Sequence, residues 1–190
     1  MSTPNYPIKD ADGNEHWISR SVAVAIFTYK WVGRDLYVLL ERRGQSVDHS
    51  GELCCPCGYL DWDETLEEAV QRELKEETGI SSAGIKIHQM NINSDPSENR
   101  QNVTVRYVVF LPSDTEPNID SIITKDEIDS VGFVKIGELA SDKVDTIYLH
   151  TDIIVADTFA FGHDKRIVEM LKLFYKNKYT IIETAGNPLL

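Results

Sequence analysis

Glu73, Glu76 and Glu77 fall within five positions of a segment spaced as a helix. On a 3.6-residue period, Leu66, Ala69, Val70 and Leu74 form one apolar stripe, at offsets of 3, 4 and 8. Glu73 and Glu77 continue that stripe at offsets 7 and 11, and Glu76 flanks it. The solvent face is a different set: Glu67, Glu68, Gln71, Arg72, Lys75 and Thr78. Carboxylates four residues apart repel, and more so where water is excluded. A solvated acidic helix accounts for Glu67 and Glu68 but poorly for Glu73 and Glu77. Oxygen-only ligands clustered this way suit a hard divalent cation such as Mg2+ or Mn2+.

The elements that must hold these groups can be read from punctuation and periodicity. Asp63 is the expected N-cap of the helix and Gly79 its stop. Before it, residues 21–29 and 36–40 read as two strands joined by a turn at 32–35. After it, 85–90, 103–111 and 130–136 read as strands, with a turn-rich loop at 93–101 and another at 112–126. Ile167, Met170, Leu171 and Phe174 repeat at 0, 3, 4 and 7, which predicts a second amphipathic helix. Strands on both sides of one helix, with another helix at the end, predict an α/β chain with a mixed β-sheet between helices. Residues 1–17 are expected to be an N-terminal extension and residues from 178 are unassigned.

Composition narrows the function. The chain has 190 residues, 42% apolar and 26% charged, enough for one domain with a proper core. Its net charge of −12 argues against a general nucleic-acid binder, and would repel a phosphate-bearing substrate unless cations intervene. No apolar run is long enough to span a membrane and the N-terminus carries no apolar signal core, so a cytoplasmic protein without a membrane partner is expected. Asn102-Val103-Thr104 is a glycosylation sequon but reads as strand sequence without a secretion signal. Cys54, Cys55 and Cys57 lack the second cluster a zinc site wants, and read as structural thiols. A reactive thiol among them would need neighbouring charges to lower its pKa. Arg42 and Arg43 end a strand ahead of the acidic helix, from where one of them could reach substrate phosphate oxygens. Tyr29, Trp31, Trp62 and Phe133 are candidates to stack on a base, with core packing as the alternative, and His163 reads as a cap or packing residue.

The stretch Gly58 to Ile80 resembles the Nudix box, G-x5-E-x7-R-E-U-x-E-E-x-G-U with U a bulky aliphatic residue. Gly58, Glu64, Arg72, Glu73, Leu74, Glu76, Glu77, Gly79 and Ile80 fill all nine specified positions. The resemblance implies a Nudix-like α/β/α sandwich over residues 18–176, with 177–190 as a C-terminal tail. It implies hydrolysis of a nucleoside diphosphate derivative by water attacking phosphorus. Glu73, Glu76 and Glu77 match the family's metal ligands, joined by the backbone carbonyl of Gly58. Arg72 matches the arginine that orients one of these glutamates, and Glu64 a brace of the loop–helix geometry. Glu127 resembles a late-loop glutamate that serves as base or extra ligand in some members, with Glu98 and Asp95 weaker candidates. Members also often form homodimers, and the N-terminal arm could exchange between subunits.

The loop at 93–101 and the strand after it look like those of ADP-ribose pyrophosphatase-type members, which favours ADP-ribose or a nucleotide sugar. One departure stands out: the usual Pro-Gly-Gly reads Pro56-Cys57-Gly58. A side chain at Cys57 narrows the backbone choices and could crowd the diphosphate. Alternatives are a nucleoside triphosphate pyrophosphohydrolase and a non-catalytic nucleotide-sugar sensor. The intact set of mutually repelling acids speaks against the sensor. Isomerisation of isopentenyl diphosphate, found on a Nudix-like fold with a degraded box, is disfavoured by this complete one.

Overall fold

A computed structural model describes residues 4–141, 143, 145–151 and 158–184. Its centre is β3 (Ser21–Val32), whose side chains alternate between two cores. Val24 and Ile26 point to one face, where they meet Ala69, Val70 and Leu74 of helix α1 (Leu66–Thr78). Ala25, Phe27 and Tyr29 point to the other, where they meet Ile167, Met170 and Leu171 of helix α2 (His163–Phe174). A strand buried on both sides reads as a continuous apolar run, as 21–29 does. The layers are therefore helix, sheet, helix, as expected.

β3 pairs antiparallel with β4 (Asp35–Arg43) through the Gly33–Arg34 turn and parallel with β8 (Asn102–Leu111). β9 (Ile128–Leu139) continues on the β4 side and β7 (Ile87–Asn93) on the β8 side. Among the described residues the sheet has nine strands, in the order β11 (Thr180–Thr184), β10 (Thr146–His150), β9, β4, β3, β8, β7, with β5 (Leu53–Cys54) added to β4 and β6 (Cys57–Tyr59) to β3. Parallel and antiparallel pairs make it mixed.

Several expectations are corrected. Residues beyond 176 are not all a tail, since β11 (Thr180–Thr184) pairs parallel with β10 (Thr146–His150) and widens the sheet. The extension holds a separate two-stranded hairpin, β1 (Tyr6–Lys9) and β2 (Glu15–Ile18), with Trp17 exposed. Residues 1–3 and 185–190 lie outside the described residues. Among the described residues, no helix is long and apolar enough to cross a membrane.

Helix α1 is capped by Thr65, not Asp63. The Thr65 hydroxyl accepts from the Glu68 amide and the Glu68 carboxylate accepts from the Thr65 amide (2.7 Å), a capping box two residues later than expected. Gly79 ends the helix in the left-handed conformation, φ 70°. Thr78, expected on the solvent face, is buried, and its hydroxyl donates to the Leu74 carbonyl. Thr65→Ala should therefore cost about 1 kcal/mol in urea unfolding. Asp63→Ala should lie within about 0.5 kcal/mol of wild type; the reverse order would restore the Asp63 cap.

Candidate active site

Burial singles out two of the three box glutamates. Glu73 and Glu77 are 7% and 5% exposed, on the same helical face as Val70 and Leu74, whereas Glu76 is half-buried. Arg72 supplies the counter-charge. Its guanidinium donates to Glu73 (2.7 Å), to Glu76 (3.2 Å), and through two nitrogens to both oxygens of Glu64 (2.6 and 3.0 Å). It also donates to the Tyr59 carbonyl (2.8 Å), so one planar fork ties the loop to the helix. Glu64 in turn accepts from the Asp61 amide (2.9 Å), the bracing role expected of it.

β6 runs beside this face. The Cys57 amide donates to Glu77 (2.9 Å), and Gly58 lies against the Glu73 carboxylate. A Cβ added at Gly58 would overlap two atoms of that carboxylate and come within 2.6 Å of its Oε2. Burial raises the Glu73 carboxyl, against the opposing pull of Arg72. Glu77 is raised well above the usual range by burial first, then by the charges of Glu41 and Glu73. Glu41, on β4, is fully buried; the Cys54 thiol donates to one oxygen (3.0 Å) and the other, Oε2, has no partner. Burial likewise raises it.

Among the described residues, no three His, Cys, Asp or Glu side chains already converge as metal ligands. Instead Glu73 and Glu76 turn to Arg72, and Glu77 to the Cys57 amide. The donor set nonetheless fits a hard divalent cation. It is all oxygen, its acids are buried at the cost of repulsion, and Gly58 leaves room for a carboxylate that a side chain would displace.

A profile of the NUDIX domain matches residues 19–151. The chain belongs to the NUDIX family. Nudix hydrolase 3 of Caenorhabditis elegans is 28% identical over 134 residues, 70% of this chain and 52% of that protein. The chain thus spans about half the length of the curated relative it matches. The solved NUDIX domain of Shewanella oneidensis NrtR, complexed with ADP ribose, has a TM-score of 0.62 at 21% identity, over 82% of this chain and 88% of that one. A MutT/nudix family protein from Enterococcus faecalis has a TM-score of 0.61 at 22% identity, over 90% and 64%. The structural likeness is one of fold.

The NUDIX carboxylates line a cleft of about 900 Å³. Of the two arginines singled out in the sequence, Arg43 lines it and is held by the Asp48 side chain (2.7 Å). Arg42 does not; its guanidinium donates to the Gly51 carbonyl (2.6 Å) and stays outside the cleft lining. Glu127 lines the cleft, exposed, in the loop before β9. Glu98 is on the wall too, but paired with Arg166 (2.7 Å), while Asp95 is spent on the Ser97 amide and hydroxyl (both 2.8 Å). None of the four aromatics weighed as base-stacking candidates lines the cleft. Tyr29 is fully buried, Trp31 bonds Tyr175 (3.0 Å), Trp62 is 93% exposed and Phe133 sits under Lys30.

Arg106, Arg166, Phe161 and Glu41 were not singled out as site residues. Arg106 and Glu41 each interrupt an apolar strand, a signal visible in the sequence; Arg166 and Phe161 carry no such mark. His163 is a packing residue, as expected: buried, its Nδ1 accepts from the Cys55 amide (3.0 Å). Burial, and then the guanidiniums of Arg106, Arg43 and Arg166, hold its pKa down to about 3.

Two outcomes follow from this geometry. The folded state keeps His163 neutral while an unfolded histidine gains a proton near pH 6.5, so its contribution is intact above 6.5 and shrinks as pH falls toward 3. It should remove about 1.5 kcal/mol between pH 6.5 and 5, and urea unfolding of His163→Asn should lose that part of the slope. Gly58→Ala should displace Glu73 and cost about 1–3 kcal/mol, read as a lower thermal midpoint; an unchanged midpoint would mean the carboxylate is not confined.

Proposed function

We propose that this chain hydrolyses the diphosphate linkage of a nucleoside diphosphate derivative, by water attack on phosphorus, with Mg2+ or Mn2+ as cofactor. The observation that carries this reading is the burial of Glu73 and Glu77, with Glu76 beside them, on the wall of a cleft large enough for a nucleotide. Those three carboxylates and the Gly58 carbonyl would hold the metal. When bound, the cation neutralises the diphosphate and lowers the pKa of water next to it.

The chain's own residues supply the rest. Arg72 keeps Glu73 and Glu76 aimed from behind and holds the loop at Tyr59, a positioning role. Arg43 carries a positive charge into the cleft for the phosphate oxygens. Glu127 stands at the cleft edge as proton acceptor for the attacking water, in the exposed loop where a base can be reached. The end of β7 at Asn93 and the loop after it, at Glu98, Asn99 and Gln101, border the same cleft, which supports an ADP-ribose-like or nucleotide-sugar substrate. The ADP ribose held by the NrtR NUDIX domain supports the same class.

The test is turnover with Mg2+ or Mn2+ of ADP-ribose, a sugar nucleotide, NADH, diadenosine polyphosphates and nucleoside triphosphates. One diphosphate compound should be cleaved, and Glu77→Gln should lower kcat at least about a hundredfold. Cleavage of triphosphates alone would replace the substrate class, and no cleavage of any would sink the hydrolase reading.

A further inference from the structure

Among the described residues, two non-glycine residues have positive φ, His49 at 55° and Phe161 at 59°. Both line the cleft, and they pack on each other, ring centroids 5.0 Å apart at 66°. Histidine visits this region with some ease, but a phenylalanine there is a genuine outlier, and such strain gathers where a ligand is gripped. Phe161 is held in it from both sides. Ala160 before it is fully buried, Gly162 after it is also left-handed (φ 66°), and His163 is buried and tied to the Cys55 amide.

The held conformation does not serve burial. Phe161 remains 46% exposed, although Ala160 before it is fully buried. Arg43 lies over its ring (5.0 Å) and the His163 ring against it (5.6 Å). Arg43 thus lies on the Phe161 ring and lines the same cleft as Glu73, Glu76 and Glu77. A ring, a guanidinium in contact with it and a group of carboxylates lining one cleft match a base, a phosphate and a cation-bound phosphate.

We infer that Phe161, braced by His49, is the stacking platform for the substrate's nucleobase, and that substrates of this cleft must carry an aromatic base. This deepens the hydrolase reading and rests on it for the cleft's use. The base stacks on the ring surface that Arg43 and the two imidazoles leave open, and every base offers a π-face to it. Tyr29, Trp31, Trp62 and Phe133 are excluded by position.

The experiment is calorimetric binding of the four nucleoside 5′-monophosphates and of ribose 5-phosphate, with and without Mg2+, which needs no turnover. At least one monophosphate should bind wild type about five- to a hundredfold more tightly than ribose 5-phosphate. Phe161→Ala should erase that difference, Phe161→Leu should behave like Phe161→Ala, and Phe161→Trp should keep it. Unchanged thermal midpoints would show the variants folded, as expected for a half-exposed side chain. A base-dependent difference that survives Phe161→Ala, or the absence of any in wild type, overturns the platform. So does a Phe161→Leu variant that binds as wild type does. Failed hydrolysis with this binding pattern intact would sink the hydrolase reading alone.

Discussion

Everything in the site depends on charge placed where the hydrophobic stripe of a helix requires burial. Glu73 and Glu77 share a face with Val70 and Leu74, so folding α1 onto the sheet drags two carboxylates out of water. Their mutual repulsion and their desolvation both oppose folding. Arg72 answers part of this by standing on the flank of the same helix with hydrogen bonds to Glu64, Glu73 and Glu76. Glu77 has no hydrogen bond from it and takes one backbone amide, that of Cys57, instead.

The short strap between β5 and β6 is what holds both helices to this arrangement. Residues 54–57 cross the sheet at its carboxylate end, and alternate amides turn opposite ways. The Cys55 amide reaches His163 at the start of α2, and the Cys57 amide reaches Glu77 near the end of α1. A strap that bonds both layers fixes the two walls of the cleft relative to each other. This also explains the three thiols. Their pKa values are raised, Cys55 by burial and Cys54 by its hydrogen bond to Cys57 as well as burial, so they pack as neutral groups. Cys57 where the family often has glycine is accommodated because the position sits in a regular strand, paired with Ala25.

Much of the fold could be read beforehand, because its signals are local. The 3.6-residue stripe at 66–77 placed α1 and its buried acids, Gly79 marked its end, and the runs at 21–29 and 103–111 marked the two central strands. Local signals failed where two of them competed. Asp63 and Thr65 are both good caps, and only Thr65 has Glu68 three residues on to close the box. β11 is a short edge strand and β10 a short strand next to it, where pairing rather than intrinsic pattern decides the conformation.

Sequence alone settled which chemistry is available: which carboxylates share a helical face, and which arginine and glycine stand at the spacing to serve them. Those are relations within one element, or across one short loop, where periodicity dictates geometry. Tertiary structure decided the rest of the cleft. Arg106 arrives from β8, Phe161 from the turn just before α2 and Arg166 from its first turn, the last two 84 or more residues after Glu77. Strand order and crossovers bring them together, and no spacing along the chain encodes that. The backbone strain at His49 and Phe161 is likewise invisible in their residue types, because it exists only once the rest of the fold holds each turn in place.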